Sequence, residues 1–411
     1  MSQDNSQYDV IIVGGGMVGL AIAAGIQKQL IEQQLSLKVA LIEPFPASEP
    51  TTEYAGVNDY DLRVSAISAQ NQSFLMSLGA WDKIPSASLS AYTEMKVWDN
   101  EGTGSVHFSA QDIHQPCLGH IVENRHTVWS LMQTIEERQA ECAIEFIQEK
   151  VSHIDSQLVD GSTPIFLTNG QQLQTQLLVA ADGALSRIKQ WIEVGAREWD
   201  YGHTAIVASI KTEKENEQTA WQVFRQNGPL ALLPFAEEQL SSIVWSTVPE
   251  EAEELLKLND QEFCEALSKA SEHKLGKIVE VSRRASFPLR QRHAVDYAVE
   301  GVVLAGDAAH TIHPLAGQGV NLGFKDGAVL VEEIIRAKQK QIPLGDMAVL
   351  SRYQRRRQSD NLTMMAAMEG FKRLFAAESP WLRLIRNQGM NFFNKSSLVK
   401  NHIIHQALGI K

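Results

Sequence analysis

Between Tyr8 and Glu43 the chain holds an apolar run rich in β-branched residues (Tyr8 to Val13, YDVIIV), then a glycine turn, Gly14-Gly15-Gly16-Met17-Val18-Gly19. A helical stretch from Leu20 to about Leu30 follows, and a second apolar run (Leu37 to Ile42, LKVALI) closes on Glu43. Short runs that are apolar at nearly every position suit strands buried on both faces of a parallel sheet. Two such strands joined by a helix form a βαβ unit, so the chain starts as an α/β fold. In Gly14-x-Gly16-x-x-Gly19 the first glycine permits the tight turn and the second lets the backbone approach a pyrophosphate. The third lets helix pack closely on strand. The helix N-terminus then faces the phosphates. Glu43 stands 24 residues after Gly19, where a carboxylate accepts hydrogen bonds from both ribose hydroxyls. This unit predicts nucleotide binding and leaves FAD and NAD open.

A second constellation lies about 290 residues further on. Val302 to Ala305 is another parallel-type strand, followed by Gly306-Asp307-Ala308-Ala309-His310 and Pro314-Leu315-Ala316-Gly317-Gln318-Gly319-Val320-Asn321. An aspartate just beyond a buried strand can bind a polyol such as a ribityl chain. Glycines where a helix begins leave backbone N–H groups free, and that positive end suits the negative N1–C2=O edge of a reduced flavin. A lone Asp307 would read as an N-cap; within this longer string it reads as a ligand group. An NAD-dependent dehydrogenase needs only the first motif, and the GD string counts against it. Leu177 to Ala181 adds a buried strand ending in Asp182-Gly183.

Elsewhere the patterning predicts a helix over Ala69–Leu78 ended by Gly79, strands at Glu94–Val97 and Ser105–Phe108, and a helix over Asn124–Ala140. From about 197 to 290, segments such as Ala205–Ile210, Trp221–Phe224 and Ser242–Ser246 suggest an antiparallel sheet, with a helix near Asp260–Ser271. The region after Gly345 reads as helical. With 411 residues, two or three domains are expected. The net charge of −12 argues against a nucleic-acid partner. From Arg352 to Lys411 there are eleven Lys/Arg against three Asp/Glu, a net of +8, which leaves −20 for the rest. Such a tail suits an anionic surface, an acidic partner or a solvated helix face. Cys117, Cys142 and Cys264 fit neither a disulfide framework nor a metal site and point to a reducing cytoplasm. No run approaches a spanning helix, and Met1 to Tyr8 lacks a signal-peptide layout. The expectation is a cytoplasmic protein, at most peripheral to the inner face of a membrane.

Taken together, the motifs resemble the class A FAD-dependent aromatic hydroxylases, and within them the ubiquinone-biosynthesis hydroxylases. The likeness covers nearly the whole chain: VIIVGGGMVGLAIA near the start, LRVSAIS at 62–68, LGHIVEN at 118–124, LLVAADGALS at 177–186, SIVWS at 242–246, FPLRQRHA at 287–294 and GDAAHTIHPLAGQGVNLGF at 306–324. WDYGH at 199–203, the VPEEAEE stretch and IHPLAGQGVNLGF look most like members that hydroxylate a 2-polyprenylphenol at ring position C5. Those acting at C6 or C1 are next.

The resemblance implies an α/β, p-hydroxybenzoate hydroxylase-like architecture. Its Rossmann-type FAD-binding domain would comprise 1–75, 119–190 and 285–350. A β-sheet substrate domain would come from 76–118 and 191–284, with C-terminal helices over 351–411. It implies FAD, NAD(P)H as electron donor, O2, and hydroxylation of a polyprenylated phenol or quinol through a flavin C4a-hydroperoxide. Gly14, Gly16, Gly19 and Glu43 would hold the ADP half, and Arg63 the pyrophosphate and ribityl region, unless it serves a structural salt bridge. Asn124 would lie near the flavin chain or cap a helix. Asp182-Gly183 belongs to a DGxxSxxR pattern in which Ser186 matches and Lys189 replaces the arginine. Lysine cannot reproduce a bidentate contact, so this departs from the family's nicotinamide-phosphate recognition. Gly306 and Asp307 would bind the flavin chain. Pro314 would sit at the flavin's reactive edge, and Gly317, Gln318, Gly319 and Asn321 would line the ring. His310 reads as structural; His313, beside Pro314, is the candidate for proton transfer. Met and aromatic residues at 364–393 read as core or as a prenyl tunnel. The basic C-terminal region would dock a membrane or a ubiquinone-biosynthesis complex, and a homo-oligomer is open. A flavin fold that has lost turnover and serves as an assembly protein is the alternative of another class.

Overall fold

The computed structural model of the chain describes residues 6–100, 104–155, 157–311 and 319–376. His313, Pro314, Gly317 and Gln318, most of the basic tail and most of the suggested prenyl-tunnel segment lie outside the described residues or their described side chains.

The expected βαβ unit forms: strand Gln7–Val13, helix Met17–Glu32, strand Val39–Ile42. Val10, Ile11 and Ile12 are fully buried, each worth about 1.5–3 kcal/mol of apolar transfer. The parallel part of its eight-stranded sheet runs in the order Val302–Leu304, Gln172–Ala180, Gln7–Val13, Val39–Ile42, Ile144–Ile147. Gln172–Ala180 starts five residues earlier than its apolar run. Its QLQTQ portion alternates in burial and pairs antiparallel with Thr163–Leu167. Helix Met17–Glu32 is buried nearly all round because helix Gly319–Gln339 covers its outer face. The two helices meet at glycines. A Cβ on Gly323 would press on Val18, one on Gly327 on Ile22, and one on Gly25 on Val331. Those pairings advance together along both helices, so the helices run parallel with their N-termini side by side.

A second sheet of nine strands is mainly antiparallel, with Ala285–Ala294, Ala196–Thr212, Leu240–Thr247, Gly228–Pro234 and Thr219–Arg225 in that order. Ile206, Ala208, Ile210, Ile243 and Trp245 turn one face toward helices Pro249–Lys257 and Asp260–Ala270. The second helix starts with a reciprocal cap, Glu262 N–H to Asn259 Oδ1 (3.0 Å) and Asn259 N–H to Glu262 Oε2 (3.1 Å). A three-stranded sheet, Val64–Ser68, Gly119–Glu123 and Leu89–Tyr92, packs its Ala66 and Ile121 against Ala220, Ala231 and Leu233 of the large sheet's other face.

Three of the first four arginines of the basic C-terminal region are committed to ion pairs. In helix Met347–Ala376, Arg352 Nε donates to Glu333 Oε2 (2.9 Å), and Arg356 reaches Glu333 Oε1 (2.9 Å) and Glu332 Oε2 (2.6 Å). Arg357 is buried on Asp326. The net +8 is therefore no measure of charge offered to an anionic surface, since these cations neutralise carboxylates of helix Gly319–Gln339.

Candidate active site

Three motifs distant in sequence leave the C-terminal ends of three adjacent parallel strands. Val13 pairs with Ala180, and Ala180 with Leu304. Ala181 N–H donates to Val13 O (2.8 Å), and Ala305 N–H to Ala180 O (2.9 Å). The turns Gly14–Gly19, Asp182-Gly183 and Gly306-Asp307 thus open side by side, and Glu43 leaves the neighbouring strand. In open α/β sheets this edge is where ligands bind.

Gly14 has φ +111°, and a Cβ there would collide with the Ala181 carbonyl. A Cβ on Gly19 would strike the Gly14 carbonyl, so both are required by the protein's own packing. Gly16 differs: among the described residues no atom lies within 4 Å of where its Cβ would stand, and the same holds at Gly319. Gly16 is the N-cap of its helix, without a capping side chain and without an acidic residue in the first turn. The N-terminus of helix Met17–Glu32 therefore presents bare backbone with room beside it among the described residues, an arrangement suited to a pyrophosphate. Glu43 is half-buried; Gly15 N–H donates to its Oε2 (2.7 Å) and Phe45 N–H to its Oε1 (3.0 Å). Each oxygen keeps further acceptor capacity for a ribose hydroxyl.

Arg63 is exposed, among the described residues its guanidinium makes no ion pair, and its charge acts on the Asp307 carboxyl. Asn124 is the first residue of helix Asn124–Glu137 and not its cap, a position taken by Glu123. Ser65 Oγ donates to Asn124 Oδ1 (2.7 Å), and Asn124 N–H to Arg63 O (2.9 Å). Asn321 is buried. Its Nδ2 donates to Ala66 O (2.7 Å), and its Oδ1 accepts from Ser68 N–H (3.0 Å) and Asn71 Nδ2 (2.7 Å). Its amide thus fastens helix Gly319–Gln339 to strand Val64–Ser68. Asn71, which sequence patterning does not single out, completes that clamp.

Asp182 Oδ2 accepts from Arg187 N–H (3.0 Å) and Ile188 N–H (3.4 Å), while Oδ1 is buried with no hydrogen-bond partner among the described residues. Burial lifts this carboxyl above the usual carboxylate range, against the hydrogen bonds from Ser186 and the backbone. An orphaned buried acceptor is what a ligand hydroxyl or N–H would satisfy. Lys189 is buried, and burial followed by the Arg292 charge pulls its ammonium below the ordinary lysine range. Asp307 is exposed by surface area, yet protein surrounds it closely enough to push its carboxyl upward, against the His310 and Arg63 charges. Both observations describe a carboxylate on the floor of a cleft.

Behind the Gly306-Asp307 turn lies a buried polar network. Asp326 Oδ2 accepts from Gly306 N–H (3.1 Å) and lies 2.5 Å from His310 Nε2. Its Oδ1 accepts from Arg357 Nε (2.7 Å) and Asn361 Nδ2 (3.3 Å). Asn361 Nδ2 also reaches Tyr297 OH (3.1 Å), which meets His293 Nε2 (3.0 Å). Burial would raise the Asp326 carboxyl, but His310 and Arg357 overcome it and hold it below the usual range. His310 is thus structural, as its sequence context suggests. Asp326 is the residue that holds the turn; its one sequence signal is an acid on the otherwise apolar stripe of Leu322, Leu330 and Val331.

The open backbone at Gly16 and Gly319, the orphan on Asp182 and the cleft-floor Asp307 fit a dinucleotide with a polyol chain. Among the described residues no helix is long and apolar enough to cross a membrane.

The family described as FAD binding domain matches residues 7–365. The chain is 33% identical over 406 residues to 3-demethoxyubiquinol 3-hydroxylase of Escherichia coli, covering 99% of this chain and 100% of that protein. It is 31% identical to the mitochondrial ubiquinone biosynthesis monooxygenase COQ6 of Homo sapiens, covering 97% and 92%. Its fold is shared by p-nitrophenol 4-monooxygenase of Pseudomonas putida (TM-score 0.77, 18% identity, 98% of each chain). A Klebsiella pneumoniae HpxO variant complexed with FAD shares it too (TM-score 0.71, 13% identity, 98% of each chain). NAD(P)H and O2 are the usual co-substrates of this class. With that match across most of its length and those relatives over nearly all of it, the chain belongs to the FAD-dependent monooxygenases of the ubiquinone-biosynthesis hydroxylase group.

Proposed function

We propose that this enzyme hydroxylates the aromatic ring of a polyprenylated phenol or quinol, at ring position C5. The observation that carries the site assignment is the meeting of the Gly14–Gly19, Asp182 and Gly306-Asp307 turns at one sheet edge with Glu43 beside them. In this reading Gly14, Gly16, Gly19 and Glu43 hold the adenosine diphosphate half of FAD, with the N-terminus of helix Met17–Glu32 on its pyrophosphate. Arg63, Asn124, Asp182, Gly306 and Asp307 hold the chain between pyrophosphate and ring, and Gly317, Gln318, Gly319 and Asn321 support the ring. Bound FAD supplies the activation of O2 and the transfer of one oxygen atom to an electron-rich ring. The chain's own work is to orient the ring and exclude water. Pro314 borders the reacting edge and His313 holds or moves a proton there.

The sequence supports position C5 through WDYGH and the VPEEAEE stretch. A second reading, action on a demethoxylated quinol, is favoured by the similarity to the Escherichia coli enzyme along the whole chain. We further propose a nucleotide domain over 1–75, 119–190 and 285–350 and a substrate domain over 76–118 and 191–284. The region 351–411 would contact a cytoplasmic membrane face or a ubiquinone-biosynthesis complex. Mass-spectrometric profiling of quinone intermediates in a strain lacking the gene tests the reading. A polyprenylphenol without the new hydroxyl accumulates if the position is C5. Build-up of a later, methoxylated intermediate selects the second reading, and unchanged ubiquinone removes the substrate assignment.

A further inference from the structure

Strand Val39–Ile42 runs out into Glu43-Pro44-Phe45-Pro46. Phe45 is 73% exposed, more than any other phenylalanine or tryptophan among the described residues. A lone apolar side chain in solvent is ordinary, but this one is set in place from three directions. Pro44 and Pro46 fix their own φ angles and disfavour helical backbone at Glu43 and Phe45, the residues before them. Phe45 N–H donates to Glu43 Oε1 (3.0 Å), so ring and carboxylate are tied together. The Lys150 ammonium stands 5.0 Å from the centre of the Phe45 ring, a cation–π contact.

The topology says what such a ring can meet. Val39–Ile42 pairs in parallel with Ile144–Ile147, and Glu43 N–H donates to Ile147 O (3.1 Å). Phe45 leaves the end of the first of these strands and Lys150 follows the second, so the two meet over the ends of both. That place lies on the ligand-binding edge of the sheet, one strand further from Gln7–Val13 than the second strand. The ADP half of a dinucleotide is a pyrophosphate, a ribose and a base, in that order. In the proposed assignment the pyrophosphate belongs to the N-terminus of helix Met17–Glu32, after the first strand, and the ribose to Glu43, after the second. The base comes next along the same line, where the Phe45 ring stands.

We infer that Phe45 is the stacking platform for the adenine of the cofactor, its ring steadied by Lys150 on one face and open to the purine on the other. The inference deepens the assignment of Gly14–Gly19 and Glu43 to the ADP half and rests on it. Stacking accounts for the exposure: the ring is bare in the protein alone and is covered by the base. It also accounts for the two prolines, since a platform whose backbone is already restricted loses little freedom when the ligand arrives.

The test uses the full chain freed of FAD. ADP binding is measured by calorimetry and FAD binding by quenching of flavin fluorescence. Phe45→Ala should weaken both ligands by the same factor, about tenfold, within the roughly 5- to 150-fold that one base–aromatic stack is worth. Its urea midpoint should stay at the wild-type value, because the side chain is exposed. Phe45→Tyr keeps the ring face and should bind ADP as the wild type does. A Phe45→Ala protein with wild-type ADP affinity, a loss for FAD with none for ADP, or a Phe45→Tyr protein as weak as Phe45→Ala would each overturn the platform. Gly16→Ala separates this from the assignment beneath it. ADP binding weakened by Gly16→Ala but indifferent to Phe45→Ala keeps the ADP site and removes the platform. ADP binding indifferent to both removes the site, and the platform with it.

Discussion

Gly16→Ala separates a glycine kept for a ligand from one kept for the fold. A Cβ at Gly14 or Gly19 strikes backbone, but at Gly16 it meets no atom of the described residues within 4 Å. Its backbone, φ −77° and ψ 179°, is open to any residue. Exchanging glycine for alanine at an N-cap costs the apoprotein well under about 2 kcal/mol, so its urea midpoint should barely move. With FAD bound, the same methyl would press on the pyrophosphate. Inserting a methyl into a filled space costs about 1–3 kcal/mol, which is roughly 5- to 150-fold in Kd. The assay is a pair of titrations on one preparation: urea unfolding of the apoprotein, and FAD binding followed by quenching of flavin fluorescence. Wild-type FAD affinity, or an apoprotein destabilised as much as Gly14→Ala, would refute the assignment of this space to the cofactor.

Three further outcomes follow from named contacts. Asp326→Asn removes the charge that pairs with buried Arg357 and His310; urea unfolding should show a loss of about 3–5 kcal/mol, and a change below about 1 kcal/mol would contradict the network's role. Arg63→Ala should leave apoprotein stability within about 0.5 kcal/mol, because the side chain is exposed, while FAD affinity falls by roughly tenfold or more, the worth of a charged hydrogen bond. His126 is packed 2.9 Å from Tyr54 OH and 3.1 Å from Ser88 Oγ, next to Glu123. Burial, then the Arg125 charge, holds its pKa down to about 4 against 6.5 unfolded. A depressed histidine contributes stability that is complete above about pH 6.5 and lost as pH falls toward 4. The pH–stability curve of His126→Gln should therefore lie flatter than wild type across that window, by about 3 kcal/mol. Parallel curves would count against it.

What sequence reveals here is local chemistry. Strand, turn and helix of the first unit are contiguous, so their periodicity and glycines declare the element and the ligand together. The Gly306-Asp307 turn is legible for the same reason, and helix Ala69–Leu78 ends at Gly79 in the left-handed conformation expected of a C′ glycine. Helix Pro249–Lys257 has Pro at N1 and two glutamates in its first turn, but it buries only Ala252 and Leu255, too little apolar periodicity to announce itself. Residues whose meaning lies in distant partners stay silent. Asp326 matters because Arg357 and Asn361 arrive from another helix, and Asn71 because Asn321 lies 250 positions away. Asn321 joins the two levels: its glycine-rich string is legible, while the bonds of its amide to Ala66 and Ser68 are not.

The central claim is that one oxygen atom passes from O2 to a prenylated ring on this protein. Its most direct test is to incubate the FAD-loaded enzyme with NADH and a 2-polyprenylphenol under oxygen-18 gas and weigh the product. The account predicts a product carrying one heavy oxygen atom, formed only with FAD and the phenol present. Oxygen consumed as peroxide with the phenol unchanged, or a hydroxyl whose oxygen comes from water, would contradict it.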